Sequence, residues 1–173
     1  YDIKNTIPCL IIDNNPKQEI DDKIVALKRQ VKNESVQDIA KTSAVKNVTK
    51  YLKMMDKGAV VGECAKSTPA HVKAAILYND CLKHFKAPFK YEPMKNGDKV
   101  KWVYLKDNPL GLETVAFKDY NDPKEIMDFV ETYVDRNKIF EAELENKLDD
   151  FYNALKWDKV TADTKTAKKF FAF

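Results

Sequence analysis

Residues 98–117 read DKVKWVYLKDNPLGLETVAF, and along them the apolar side chains recur every second position instead of every third or fourth. Val100, Trp102 and Tyr104 alternate with Lys99, Lys101 and Val103. Beyond Asp107-Asn108-Pro109-Leu110-Gly111, Thr114 and Ala116 alternate with Val115 and Phe117. Two alternating runs around a turn that contains proline and glycine predict a β-hairpin with a long turn. Most of the remaining chain carries helical spacing, and four glycines in 173 residues are few for a loop-rich or all-β protein. The predicted fold class is therefore mainly α with a small antiparallel β-hairpin element, an α+β arrangement.

Three helical stretches surround the hairpin. Asn15-Pro16-Lys17-Gln18 places a capping residue before a proline, and a helix over about residues 16–33 follows, with Ile20, Ile24, Leu27 and Val31 forming one stripe. Thr68-Pro69 opens a second helix by the same logic, with His71, Val72, Ala75, Tyr78, Leu82 and Phe85 on a broad face. Asp122-Pro123 opens the last helical region, which runs through Ile126, Phe129, Val130, Phe140, Leu144, Leu148 and Phe151 to about Trp157. Glu141, Glu143 and Glu145 are expected to face water there. Between the first two helices, a turn of helix near residues 35–40 precedes 41–51, read as a loop or edge strand leading to a short helix. The first residues read as the end of an extended segment, so the chain is expected to be a piece of something longer.

Composition narrows the chemistry. The net charge of +3 divides unevenly, because residues 1–90 hold sixteen basic and ten acidic side chains while residues 91–173 hold fourteen and seventeen. Between residues 42 and 55, Lys46, Lys50 and Lys53 occur without a single acidic residue, a pattern that suits polyanions. The three cysteines are odd in number and widely spaced, which favours a reducing compartment over a disulfide framework. No run approaches the roughly 20 apolar residues needed to span a bilayer, so no membrane partner is expected.

An active site is not legible. The sequence has no Gly-rich phosphate loop, nucleophile elbow or metal-ligand cluster. Cys81-x-x-His84 has helical ligand spacing but no second pair to complete a tetrahedral site, and adjacent helical carboxylates such as Asp149-Asp150 diverge by about 100°. No catalytic residue, metal site or cofactor is therefore expected. The end of the chain is more suggestive. After a polar stretch over 158–169, Phe170, Phe171 and Phe173 form an aromatic terminus that either folds back onto its own domain or docks into a partner's groove, and exposed apolar clusters more often mark a binding site.

Several short elements, in order, carry a resemblance. Thr68-Pro69-Ala70-His71-Val72-Lys73, Ile76-Leu77-Tyr78-Asn79, Gly97-x-Lys99-Val100, Asn108-Pro109-Leu110-Gly111 and Val115-Ala116-Phe117, ending in an aromatic C-terminus, resemble the thumb domain of T-even-like bacteriophage family B DNA polymerases. The resemblance covers nearly the whole chain. It implies a palm–thumb junction over 1–10, a thumb over 11–157, and a flexible tail over 158–173 that ends in a clamp-binding peptide. It implies that the chain grips the phosphate backbone of double-stranded primer-template DNA through Ser43, Lys46, Asn47, Lys50, Lys66, Lys73 and Lys138. Phe170, Phe171 and Phe173 would bind a sliding clamp. The family's catalytic aspartates, with their Mg²⁺, belong to a palm outside this chain, so the resemblance implies either an excised domain or one polypeptide of a split enzyme, with a palm-bearing polymerase polypeptide as partner and the chain alone inactive. The implied location is the cytoplasm of a bacterial host.

This chain departs from the family at two positions where basic residues are usual, which are here Glu113 and Ala142. Its tail has Lys168-Lys169 in place of an aromatic and an acidic residue. Rival readings are a free-standing helical DNA-binding accessory protein and a protein-interaction adaptor that docks through its aromatic terminus.

Overall fold

In chain order, the computed structural model has α1 (Ile3–Ile12), α2 (Lys17–Asn33), α3 (Val36–Ile39), β1 (Lys41–Ala44), α4 (Val48–Leu52), α5 (Ala70–His84), β2 (Lys99–Tyr104), β3 (Thr114–Phe117), α6 (Lys124–Tyr133), α7 (Arg136–Phe140), a π-helical turn (Glu141–Glu145) and α8 (Asn146–Leu155). The structure describes residues 3–52 and 67–158. The mainly α class with a small antiparallel sheet holds. The chain folds into two compact units, residues 1–34 with 136–173 and residues 35–135, and passes between them twice.

The second unit contains the sheet. The two alternating runs form β2 and β3, paired with Trp102 opposite Ala116 and Tyr104 opposite Thr114. The hairpin is not the whole sheet, because Lys41–Ala44 adds a third antiparallel strand on the other side of β2, with Lys41 opposite Trp102 and Ser43 opposite Val100. The long turn is organised by one amide. Asn108 Nδ2 donates to the carbonyls of Lys106 and Leu112, each at 2.7 Å, and its Oδ1 accepts from the N–H groups of Leu110 and Leu112. Gly111 supplies the left-handed residue that closes the turn, at φ 63°. Helix α5 lies against β3 and β2 and buries Val72, Ala75, Ile76, Leu77 and Leu82. It also holds the following connection, since Asn79 donates to the Met94 carbonyl (3.1 Å) and accepts from the Met94 N–H (2.7 Å).

In the first unit, the α2 stripe of Ile20, Ile24, Leu27 and Val31 is buried as its spacing predicts, with Ile7, Ile139, Phe140, Leu144, Leu148 and Tyr152 completing the core. Asp21 is buried too, and is stabilised by Lys17 Nζ at 2.8 Å and by the Tyr152 hydroxyl, which donates at 3.4 Å. Burial, reinforced by the charge of Asp21, pushes the Tyr152 phenol up to about 12. At neutral pH it therefore serves as a donor. Arg136 joins the unit's two chain segments by donating from Nη1 to the carbonyls of Val31 and Glu34 at the C-terminal end of α2, where a cation also opposes the helix dipole.

Three expectations are corrected. Residues 3–12 are helical, not extended: Ile7 is fully buried, and Pro8 forfeits only one backbone bond. Glu143 is buried at 6% exposure, because the π turn inserts an extra residue into the helix and rotates Glu143 inward beside Leu144. The third concerns the proline starts, where Asn15, Thr68 and Asp122 are not the caps. Pro16, Pro69 and Pro123 themselves occupy the flanking position, with φ between −57° and −60° and ψ between 138° and 141°. Their carbonyls accept the first helical bonds. Asn15 instead closes the preceding helix by donating from Nδ2 to the Leu10 carbonyl.

Helix ends explain how the fold manages with few glycines. α1, α5 and α8 each finish on a left-handed residue that is not glycine, namely Asn14, Lys86 and Lys156 at φ 57°, 49° and 53°. In each case the next N–H reaches back five residues: Asn15 to Leu10, Ala87 to Leu82, and Trp157 to Tyr152. These are Schellman closures. In α8 the accompanying apolar contact is the Tyr152–Trp157 ring pair at 6.2 Å. A lysine in this conformation carries a steric cost that glycine avoids. Lys156→Gly is therefore expected to stabilise the protein by about 0.5–1 kcal/mol. Urea denaturation would read this as a raised midpoint with an unchanged slope.

Candidate nucleic-acid interface

The expected phosphate contacts Ser43, Lys46, Asn47 and Lys50 fall on one continuous piece of the second unit, from β1 through a tight turn into α4. Lys46, Asn47 and Lys50 are exposed, and no acidic residue lies between Lys41 and Leu52. Val45 and Val48 point the other way and are buried, anchoring the turn at both ends. Asn47 takes a left-handed conformation at φ 62°, which asparagine tolerates better than most residues.

Distant parts of the sequence hold the turn in place. The Val45 N–H donates to the Asp98 carbonyl and the Gly97 N–H donates to the Val45 carbonyl, both at 2.8 Å, so the pairing of β1 with β2 continues past the ends of the strands. Asn96 Oδ1 accepts the Val48 N–H at 2.7 Å and satisfies one of the free donors that begin α4. Gly97 adopts φ 97°, which brings Asn96 beneath the turn. Ser43 is half-buried, and its hydroxyl accepts the indole N–H of Trp102 at 3.1 Å. It still has a proton to donate, but the oxygen is also a fixture of the sheet.

The remaining expected residues do not all join this group. Lys73 lies on α5, where its ammonium bonds Glu113 Oε2 at 2.6 Å and is only 21% exposed. Glu113 is the residue at which the chain departs from the basic pattern of the resemblance, and the position expected to grip phosphate here neutralises the lysine. Lys138 is exposed on α7, in the first unit. Lys66, Phe170, Phe171 and Phe173 lie outside the described residues, as do residues 159–173 of the expected tail. Of the rejected metal pair, Cys81 is buried and its thiol is pushed up to about 12 by burial and then by Asp80, whereas His84 is exposed with its ring edge-on to Phe85. A thiol so perturbed is protonated at neutral pH and a poor ligand.

Sequence reasoning missed the residues that hold the Lys46–Lys50 turn in place. Asn96 lies 48 positions from the N–H it caps, and Trp102 lies 59 from the serine it bonds. Lys99, exposed opposite Ala44, adds a cation across the strand pair. Lys41 stacks over the rings of Trp102 and Tyr104, at 5.2 and 5.7 Å. The Gly97-x-Lys99 signature held the only local signal, since a glycine before a strand marks a backbone position with special geometry.

Among the described residues, no helix is long and apolar enough to cross a membrane. Comparison with known proteins finds no matching family model and no significant sequence match among curated proteins.

Removing the Asn96 cap tests the construction of the turn. Asn96→Ala should cost about 1 kcal/mol of stability, in the range of lost helix caps. It should also accelerate amide exchange at Val48, measured by hydrogen–deuterium exchange, with no change at Val103 in the centre of the sheet.

Proposed function

We propose that this chain is the C-terminal thumb portion of a replicative DNA-directed DNA polymerase, gripping the primer-template duplex through its phosphates and tethering the enzyme to a sliding clamp. The observation that carries the reading is the acid-free turn with Lys46, Asn47 and Lys50 exposed and its backbone fixed by Asn96 and Gly97. A rigid turn that presents lysines and an amide suits phosphates, whose contacts position a protein without reading sequence. The ordered family elements in the sequence supply the identity of the duplex as primer-template. The catalytic palm, and the Mg²⁺ it would hold, lie outside residues 1–173 in this reading. Host-cell cytoplasm is the corresponding location.

Glu113 bonded to Lys73 shifts the balance of the grip toward the Lys46–Lys50 turn. Duplex binding should be weak, independent of sequence and strongly salt-dependent. With about three to five phosphates neutralised, log affinity should fall against log salt with a slope of roughly −3 to −4.5. Lys46→Ala with Lys50→Ala should flatten the slope by about 2, whereas Lys73→Ala should alter it least. Anisotropy titrations of a labelled duplex at several salt concentrations measure this, and a slope unchanged by the double substitution would overturn the grip.

The tether is tested separately. Burying Phe171 and Phe173, with Phe170 partly covered, offers roughly 4–7 kcal/mol. Ordering the peptide consumes a large part of that. The peptide alone should therefore bind a clamp weakly, and the tail should act mainly by raising effective concentration on shared DNA. Changing Phe171 and Phe173 to alanine should leave the melting temperature and duplex affinity intact while abolishing clamp-dependent processivity of the reassembled polymerase. A loss of several degrees in melting temperature with clamp binding retained would show that the tail folds back on its own chain.

A further inference from the structure

A second surface of the 35–135 unit combines aromatic rings with lysines at a site separate from the Lys46–Lys50 turn. It is built from two loops. After α5 ends on the left-handed Lys86, Pro88 and a turn closed by the Tyr91 N–H on the Pro88 carbonyl (3.0 Å) project Phe89, whose side chain is fully exposed at 106%. In the other loop, Asp122 accepts from the N–H groups of Lys118 (2.9 Å) and Asp119 (2.7 Å), Asp119 stands at φ 74°, and Tyr120 is 81% exposed. Asn121 Nδ2 donates to the Lys90 carbonyl at 3.3 Å and joins the two loops.

Charge on this surface is one-sided. Residues 81–91 contain Lys83, Lys86, Lys90 and His84 but no acidic residue, and the flanking Asp80 and Glu92 are paired with Lys83 at 3.4 Å and Lys95 at 3.5 Å, which leaves Lys86 and Lys90 as the cations beside the rings. The carboxylates of the second loop are engaged internally, Asp122 by backbone N–H groups and Asp119 by Lys101 at 2.6 Å. Lys90 lies over the Tyr91 ring at 4.9 Å, so that ring already accommodates a cation on one face. At the core of a protein-docking patch aromatic side chains are enriched but lysines are depleted. Here the exposed apolar groups are aromatic, isolated and flanked by cations. Duplex DNA would leave the rings unused, because its bases are already stacked on one another.

We propose that these loops bind single-stranded nucleic acid without sequence preference, with bases stacked on Phe89 and Tyr120 and the backbone held by Lys86 and Lys90. The loops are preorganised for this by their internal hydrogen bonds, so binding orders little besides the strand itself. The surface uses none of the residues of the proposed duplex grip. Either can fail alone.

The test is anisotropy of the full chain with a labelled oligodeoxythymidylate of about 12 nucleotides. Phe89→Ala with Tyr120→Ala should weaken binding about tenfold or more while leaving the melting temperature and the affinity for a blunt duplex unchanged. Phe89→Trp should keep the affinity and show quenching of its indole fluorescence on adding the oligonucleotide, as stacking requires. Equal affinity of the double-alanine variant, or no oligonucleotide binding by the parent chain, would overturn the proposal. So would concentration-dependent self-association of the parent in sedimentation velocity that the double-alanine variant abolishes, since the patch would then be an interface between copies.

Discussion

Strand β2 has a partner on each edge, and the arrangement of the second unit follows from that constraint. Its backbone must pair with β3, which is close in sequence, and with β1, which is far away. Because side chains alternate faces along a strand, shifting β1 by one residue would turn Lys41 and Ser43 to the opposite side of the sheet. The buried indole of Trp102 works against such a slip. Its N–H is satisfied by the Ser43 hydroxyl, and an unpaired buried donor would cost about 1–3 kcal/mol. The same register places Lys41 over Trp102 and Tyr104. It also brings residues 96–98 beside the turn that follows β1, where Asn96 and Asp98 can bond it. A polar contact in the sheet thus positions lysines that do not touch it.

Helix termini are the second organising theme. Three helices of this glycine-poor chain close on non-glycine residues at a steric cost in the left-handed region, Asn14, Lys86 and Lys156, whereas α2 and α6 end on Glu34 and Val134 at negative φ. Each closure satisfies carbonyls that would otherwise lack partners, which offsets the strain. At Lys86 the closure also changes the direction of the chain sharply, with Pro88 two residues on, and Phe89 is exposed as a result. The same backbone device ends α5 and presents the aromatic loop.

The helices and the hairpin were legible because their signals are local. The period of two over β2 and β3, the α2 stripe and the three proline starts each lie within a few residues. Strand β1 was only half legible, since four residues with two small polar side chains carry little propensity and their partner lies far along the chain. The caps were misassigned because a capping residue before proline reads the same whether the proline is inside the helix or flanks it. Asn15 shows the ambiguity best, since its side chain serves the helix before it. Glu143 was misread because the expectation used uniform helical geometry, which a π turn breaks. The Lys46–Lys50 turn was found from composition alone, but its supports were invisible, being hydrogen bonds across 48 and 59 residues.

Charge shows most clearly why linear bookkeeping fails for the site. The halves of the chain differ by nine charges, yet the folded units do not, because residues 35–135 hold sixteen basic and fourteen acidic side chains and the other unit holds fourteen and thirteen. What distinguishes one surface from another is how the lysines are used. Lys73 is bonded to Glu113, Lys101 to Asp119, and Lys17 to the buried Asp21, so their fields are largely cancelled close to the surface. Lys46 and Lys50 lie in a segment without carboxylates, as do Lys86 and Lys90 in theirs. At physiological salt, fields decay over about 8 Å, so a polyanion responds to these local imbalances far more than to the net charge. A nearly neutral unit can therefore present two separate lysine-rich surfaces, provided its acidic residues are engaged elsewhere in internal bonds.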